Sequence, residues 1–142
     1  SQDSYVPYNA PVHVLVAEDD RGICALLAVL LADYGCIVET ASDGLEALSH
    51  LKKTHYDLVV TDLVMPNLDG LGLLAEMATR KLAVNSLNYV TTGGSCDEIR
   101  DRVSDFRLGH VDGYLEKPFT AEAVKEMVER ARQARHKLLR SA

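Results

Sequence analysis

The side chains best equipped for chemistry in this chain are carboxylates that follow apolar runs. Glu18, Asp19 and Asp20 come directly after VHVLVA, and Asp62 comes directly after LVVT. Thr91 and Thr92 close a third such run, and Lys117 with Pro118 follows a fourth. Acidic side chains gathered in one place repel one another and cost stability unless a cation neutralises them. A hard divalent ion with oxygen ligands, Mg²⁺ (or Mn²⁺), suits a cluster drawn from Glu18, Asp19, Asp20 and Asp62, because it binds through a few carboxylates and keeps waters for a phosphate-bearing partner. Lys117 brings a mobile positive charge and Thr92 a hydroxyl donor, and both suit the oxygens of a transferring phosphoryl group. Singly, each of these residues is an ordinary polar strand end. The chemistry requires that they meet.

Meeting at one edge requires parallel strands whose carboxyl ends lie side by side. Short apolar runs rich in β-branched residues occur at 12–17, 36–41, 56–61, 87–91 and 111–115, and they alternate with helical periods. Such alternation predicts an α/β fold, a five-stranded parallel sheet doubly wound by five helices. In the first helix Ile23, Leu26, Leu27, Leu30, Leu31 and Tyr34 form one apolar stripe, with Asp20 as its cap and Gly35 as its stop. Further helices are predicted over about 44–52, 71–81, 97–108 and 121–139. The one at 97–108 is the most sparsely apolar, with Ile99, Val103 and Phe106 among many charges. Ligands of such sheets bind beyond the carboxyl ends of the strands, where these carboxylates, threonines and lysine converge.

With 142 residues the chain has the size of one domain, and its net charge of −6 offers no general attraction to nucleic acid or anionic lipid. No run has the length of a membrane span or the layout of a signal peptide, so a cytoplasmic location is expected. Residues 1–11, with Pro7 and Pro11 and no apolar period, read as a flexible leader or remnant, and 12–142 as the folded domain. Cys24, Cys36 and Cys96 have no CxxC spacing and are expected as free thiols; the five histidines show no ligand spacing.

The segments VLVAEDD, DLVVTDLVMPNLDG, VTTGG and GYLEKPF, in this order, resemble the response-regulator receiver family, from Val12 to about Leu138. The resemblance implies a flavodoxin-like strand order 2-1-3-4-5 and makes Asp62 the phosphoacceptor. It implies that Glu18 and Asp19 support the metal, Asp19 directly, with Asp62 and the backbone carbonyl of Val64 as further ligands. Lys117 would pair with phosphoryl oxygens, and Lys117-Pro118 would be a cis peptide. Tyr114 matches the aromatic switch position. The tandem threonines leave the switch hydroxyl open between Thr91 and Thr92; the interval from Asp62 and the small Gly93 favour Thr92, with Thr91 expected to matter mainly for packing. Met65-Pro66 and Asp69-Gly70 would shape the turn after Asp62. The stretch from Thr92 to Lys117 is longer than is usual in the family.

The partners so implied are a sensor histidine kinase or histidine phosphotransfer protein and a downstream protein target. The target would be reached through a face built from the fourth helix, fifth strand and fifth helix, with no nucleic acid or membrane contact. A monomer or weak phosphorylation-dependent dimer is expected, regulatory rather than enzymatic, assisting its own phosphorylation and dephosphorylation. A phosphatase of the haloacid dehalogenase type would need an acid two residues after its nucleophile, and Val64 stands there. An interaction module of the same fold that takes no phosphate is opposed by the joint presence of Glu18, Asp19, Asp62, Thr92 and Lys117.

Overall fold

A computed structural model describes residues 5–93, 101 and 111–141. Apart from residue 101, the helix expected over 97–108 lies outside these residues, as do Cys96 and His110. Elements follow in the order β1 (Val12–Ala17), α1 (Arg21–Asp33), β2 (Cys36–Ala41), α2 (Gly44–Lys53), β3 (Leu58–Asp62), α3 (Gly70–Thr79), β4 (Leu87–Thr92), β5 (Gly113–Glu116) and α4 (Ala121–Arg140). All pairings are parallel, and the strands run β2-β1-β3-β4-β5. This is the doubly wound, flavodoxin-like arrangement, with the strand order reversing between β1 and β3.

The helices start where short polar side chains can satisfy their first N–H groups. Asp20 accepts from Ile23 N, Asp43 from Glu46 N, Asp69 from Gly72 N and Thr120 from Ala123 N. Gly35 ends α1 at φ +82°, a left-handed conformation that glycine adopts without Cβ strain.

Central strands are buried on both faces, so each contributes to two cores. Val14, Val16, Leu58, Val60, Tyr89 and Leu115 pack beneath α1 and α4 with Leu27, Leu31, Val124, Met127 and Val128. Leu15, Ala17, Val59 and Val90 pack beneath α2 and α3 with Ala47, Leu51, Leu73 and Met77. Period-two alternation of the strand side chains produces this division.

Several boundaries differ from expectation. β3 begins at Leu58 rather than at residue 56, because Asp57 turns its carboxylate onto His13 N at 3.0 Å. β5 begins at Gly113 rather than at 111, because Asp112 caps β4 by accepting from Asn88 N at 2.8 Å. The stripe of α1 is narrower than its spacing suggested: Leu27 and Leu31 are buried, but Leu26 is 52% exposed. A helix lying on a flat sheet buries only its innermost rows. Part of the segment read as a leader is held: the Arg135 guanidinium donates to the carbonyls of Tyr8, Ala10 and Pro11, and the Tyr8 ring meets His136 edge-on. No helix among the described residues is long and apolar enough to cross a membrane.

Candidate functional site

β1 and β3 are neighbours, so their carboxyl ends bring Glu18, Asp19 and Asp62 to one place. Each offers a carboxylate oxygen, and these oxygens lie within 4.8 Å of one another. Asp20, next in sequence, is committed elsewhere: its Oδ1 accepts from Ile23 N and starts α1. The three burials differ, with Glu18 buried, Asp62 half-buried and Asp19 exposed.

β5 delivers the only lysine that reaches this cluster among the described residues. Lys117 Nζ stands 2.7 Å from Glu18 Oε1 and 3.2 Å from Asp62 Oδ2. The Lys117-Pro118 peptide is cis, as the resemblance implied. The contact to Glu18 is an ion pair, and Glu18 Oε1 is otherwise without a partner among the described residues. Burial pushes the Glu18 carboxyl above its usual value, Lys117 pulls it down, and neighbouring Asp62 pushes it up again. For Lys117 burial pulls the ammonium down, but Glu18 and Asp62 together outweigh it and hold the pKa above the ordinary lysine value.

The other oxygen of Asp62 is oriented by backbone. Oδ1 accepts from Leu63 N at 2.7 Å and from Val64 N at 3.5 Å. The loop that supplies these amides is anchored at both ends. Gly70 N donates to Leu63 O at 2.9 Å, and Asn67 Nδ2 reaches Asp43 Oδ2 at 2.7 Å. A Cβ on Gly70 would stand 2.1 Å from the Asp62 carbonyl oxygen. Gly70 therefore serves close approach of α3 to β3, not turn conformation alone. Neither the Asp43–Asn67 link nor this approach was foreseen; an Asp after a strand signals a cap, and nothing in its spacing shows a second partner.

Thr92 is the last residue of β4, and Tyr114 is the second residue of β5. Thr92 is 2% exposed, and its carbonyl accepts from Lys117 N at 2.8 Å. Tyr114 is half-buried and packs against the core beneath α2 and α3, as does Val90. Alternation places Thr92 on that same face, so Thr92 and Tyr114 share one side of the sheet. Val64 follows in the loop with its side chain 75% exposed, which leaves only its backbone to serve the site.

Three carboxylates facing one ammonium form an oxygen-rich, net-negative cluster with a buried, under-bonded oxygen on Glu18. Such a set fits a hard divalent cation better than it fits itself. The family described as the response regulator receiver domain matches residues 14–129. The chain belongs to that family. The transcription factor SKN7 of Saccharomyces cerevisiae is 39% identical over 127 residues, which is 86% of this chain and 19% of that protein. Curated relatives extend beyond the match, and the chain spans 14% to 50% of their lengths. Among solved structures, the receiver domain of Francisella response regulator 1452 superposes with a TM-score of 0.74 at 28% identity, covering 89% of this chain and 98% of that one. The receiver domain of sensor histidine kinase PA1611 from Pseudomonas aeruginosa shares the fold, with a TM-score of 0.77 at 21% identity over 87% of this chain and 99% of that one. That structure has a magnesium ion in its active-site cleft. Receiver domains of this family are regulatory phosphoacceptors of two-component systems.

Proposed function

We propose that this receiver takes a phosphoryl group onto Asp62 from a phosphohistidine of a sensor histidine kinase or histidine phosphotransfer protein, and that the modification switches a protein-binding face. One observation carries the reading. Among the described residues, Asp62 alone combines a strand end, an oxygen oriented by two amides, a lysine within reach and two further carboxylates within 4.8 Å.

In the transfer one Asp62 carboxylate oxygen forms a bond to phosphorus as the phosphorus–nitrogen bond of the donor breaks. The imidazole leaves with the bonding pair and takes up a proton. Glu18, Asp19, Asp62 and the Val64 carbonyl would hold Mg²⁺ or Mn²⁺, which neutralises the cluster and the incoming phosphoryl charge. Leu63 N and Val64 N keep the acceptor carboxylate in one orientation, so no reorganisation is needed as charge develops. Lys117 exchanges a carboxylate for a phosphoryl oxygen, a short move for a side chain already 3.2 Å from Asp62. Thr92 then donates its hydroxyl to the phosphoryl group and Tyr114 turns inward on the same face, altering the surface that a downstream protein reads. The domain would assist its own phosphorylation and dephosphorylation, work in the cytoplasm, and exist as a monomer or weak phosphorylation-dependent dimer. Residues 1–11 would precede the receiver proper at 12–142.

Incubation with a small-molecule phosphodonor and Mg²⁺ tests this. One phosphoryl mass should appear, and it should vanish with chelator or in Asp62→Ala. Equal labelling of Asp62→Ala would move the acceptor to another carboxylate and sink the reading.

A further inference from the structure

Thr91 was expected to matter mainly for packing, yet one of its two strand neighbours is the Asp62 carboxylate. Its backbone pairs with Asp62 of β3 and with Leu115 of β5. Register partners in a parallel sheet point to the same face, roughly 5 Å apart. Leu115 lies in the core beneath α1 and α4, which fixes the face, and Lys117, two residues on, shares it. The β1–β3 register ends at Ala17 beside Thr61, so one step further Glu18 stands beside Asp62. Glu18, Asp62 and Thr91 therefore form a row across three adjacent strands, with Lys117 above it. Thr92 is on the opposite face with Tyr114.

Within that row the Thr91 hydroxyl is anomalous. The residue is 3% exposed, and Oγ1 has no hydrogen-bond partner among the described residues. A buried hydroxyl left without a partner destabilises a fold, and an isosteric valine would remove the penalty. The natural acceptor for its proton is the neighbouring Asp62 carboxylate, whose Oδ2 is taken by Lys117 at 3.2 Å.

We infer that Thr91 is a positioning residue that replaces Lys117 as hydrogen-bond donor to Asp62 when the lysine is drawn off, so that the acceptor carboxylate keeps its orientation throughout the cycle. The inference rests on the proposed cation-assisted phosphoacceptor role. A divalent ion competes with the Lys117 ammonium for the carboxylates of Glu18 and Asp62, and a transferring phosphoryl group attracts the same ammonium. Either event strips Oδ2 of its donor. Thr91, already desolvated in the next strand, supplies another without moving the backbone.

The test compares wild type, Thr91→Val and Thr91→Ser. Thermal unfolding in chelator and calorimetric titration with Mg²⁺ alone are measured for each. In chelator Thr91→Val should be as stable as wild type or more so, since an unpaired hydroxyl is replaced by a methyl group. Its Mg²⁺ affinity should nevertheless fall about tenfold, the loss expected for one hydrogen bond to a charged group, and Thr91→Ser should restore it. Wild-type affinity in Thr91→Val would overturn the inference and leave the phosphoacceptor reading intact. A destabilisation of Thr91→Val in chelator as large as its loss in Mg²⁺ would also overturn it, by showing a packing role only. If wild type itself takes up no Mg²⁺, the cation-assisted reading fails, and this inference fails with it.

Discussion

Replacing Lys117 by methionine should turn a metal-tolerant cluster into a metal-dependent one. The substitution keeps the stem and removes the charge, leaving Glu18 and Asp62 with oxygens within 4.8 Å of each other and of Asp19. At that separation and an effective dielectric constant of about 20, each uncompensated pair repels by about 3.5 kcal/mol, using 4.8 Å as the distance. The protein has one escape, which is to protonate Glu18. Carrying a carboxyl of ordinary pKa 4.5 as the neutral acid at pH 7 costs about 3.4 kcal/mol, so protonation limits the loss to nearly the same figure. The lysine also gives up its 2.7 Å and 3.2 Å contacts, but it recovers its hydration in the unfolded chain. Urea unfolding in chelator at pH 7 should therefore show Lys117→Met about 3 kcal/mol less stable than wild type. Millimolar Mg²⁺ should return most of that loss and should stabilise the variant more than wild type, because no ammonium competes for the ligands. Lowering the pH in chelator should narrow the gap, because the neutral Glu18 acid costs less as the pH falls toward the ordinary carboxyl range. Equal stability of the two proteins in chelator at pH 7, or equal gains from Mg²⁺, would refute the electrostatic argument.

Thr92→Ala should accept phosphate to near wild-type levels but lose the conformational response, read as the change in Tyr114 environment by NMR. Gly70→Ala should destabilise by at least about 3 kcal/mol in chemical denaturation, since its Cβ meets the Asp62 carbonyl at 2.1 Å and neither backbone can give. Burial raises the Cys36 thiol to about 11, so at pH 8 its thiolate should be about a hundredfold scarcer than that of an ordinary cysteine and alkylation of the folded protein correspondingly slow. Arg135→Ala should cost about 3 kcal/mol, because it leaves the buried Asp57 carboxylate without its 3.3 Å partner and frees the carbonyls of Tyr8, Ala10 and Pro11.

The strands and the acidic cluster were legible because each leaves a local mark, whereas the strand order came from the family resemblance. Alternating runs of valine and leucine end in Glu18, Asp19 and Asp62, and burial on both faces keeps those runs continuously apolar. What could not be read depends on partners distant in sequence. Asp57 and Asp112 each spend a carboxylate on the backbone of a neighbouring strand, which delays β3 and β5 by two residues. The Arg132 and Arg135 guanidiniums donate to the carbonyls of Tyr34 and of the segment before β1. An arginine's destination is not written in its neighbours along the chain. Leu26 shows the same in reverse: it has the right period for the α1 stripe, but the flat sheet does not extend beneath it.

The tandem threonines show how one strand can serve two tasks at adjacent positions. Successive side chains of β4 point to opposite faces, so Thr91 and Thr92 enter different environments although only one peptide separates them. Thr91 lies in the row with Asp62, on the side that carries Lys117. Thr92 shares its face with Tyr114, over the core beneath α2 and α3. A strand end that presents a hydroxyl to each face gives Asp62 a threonine neighbour on one side of the sheet and Tyr114 one on the other. Deleting either threonine would leave the end of β4 with a hydroxyl on one face only.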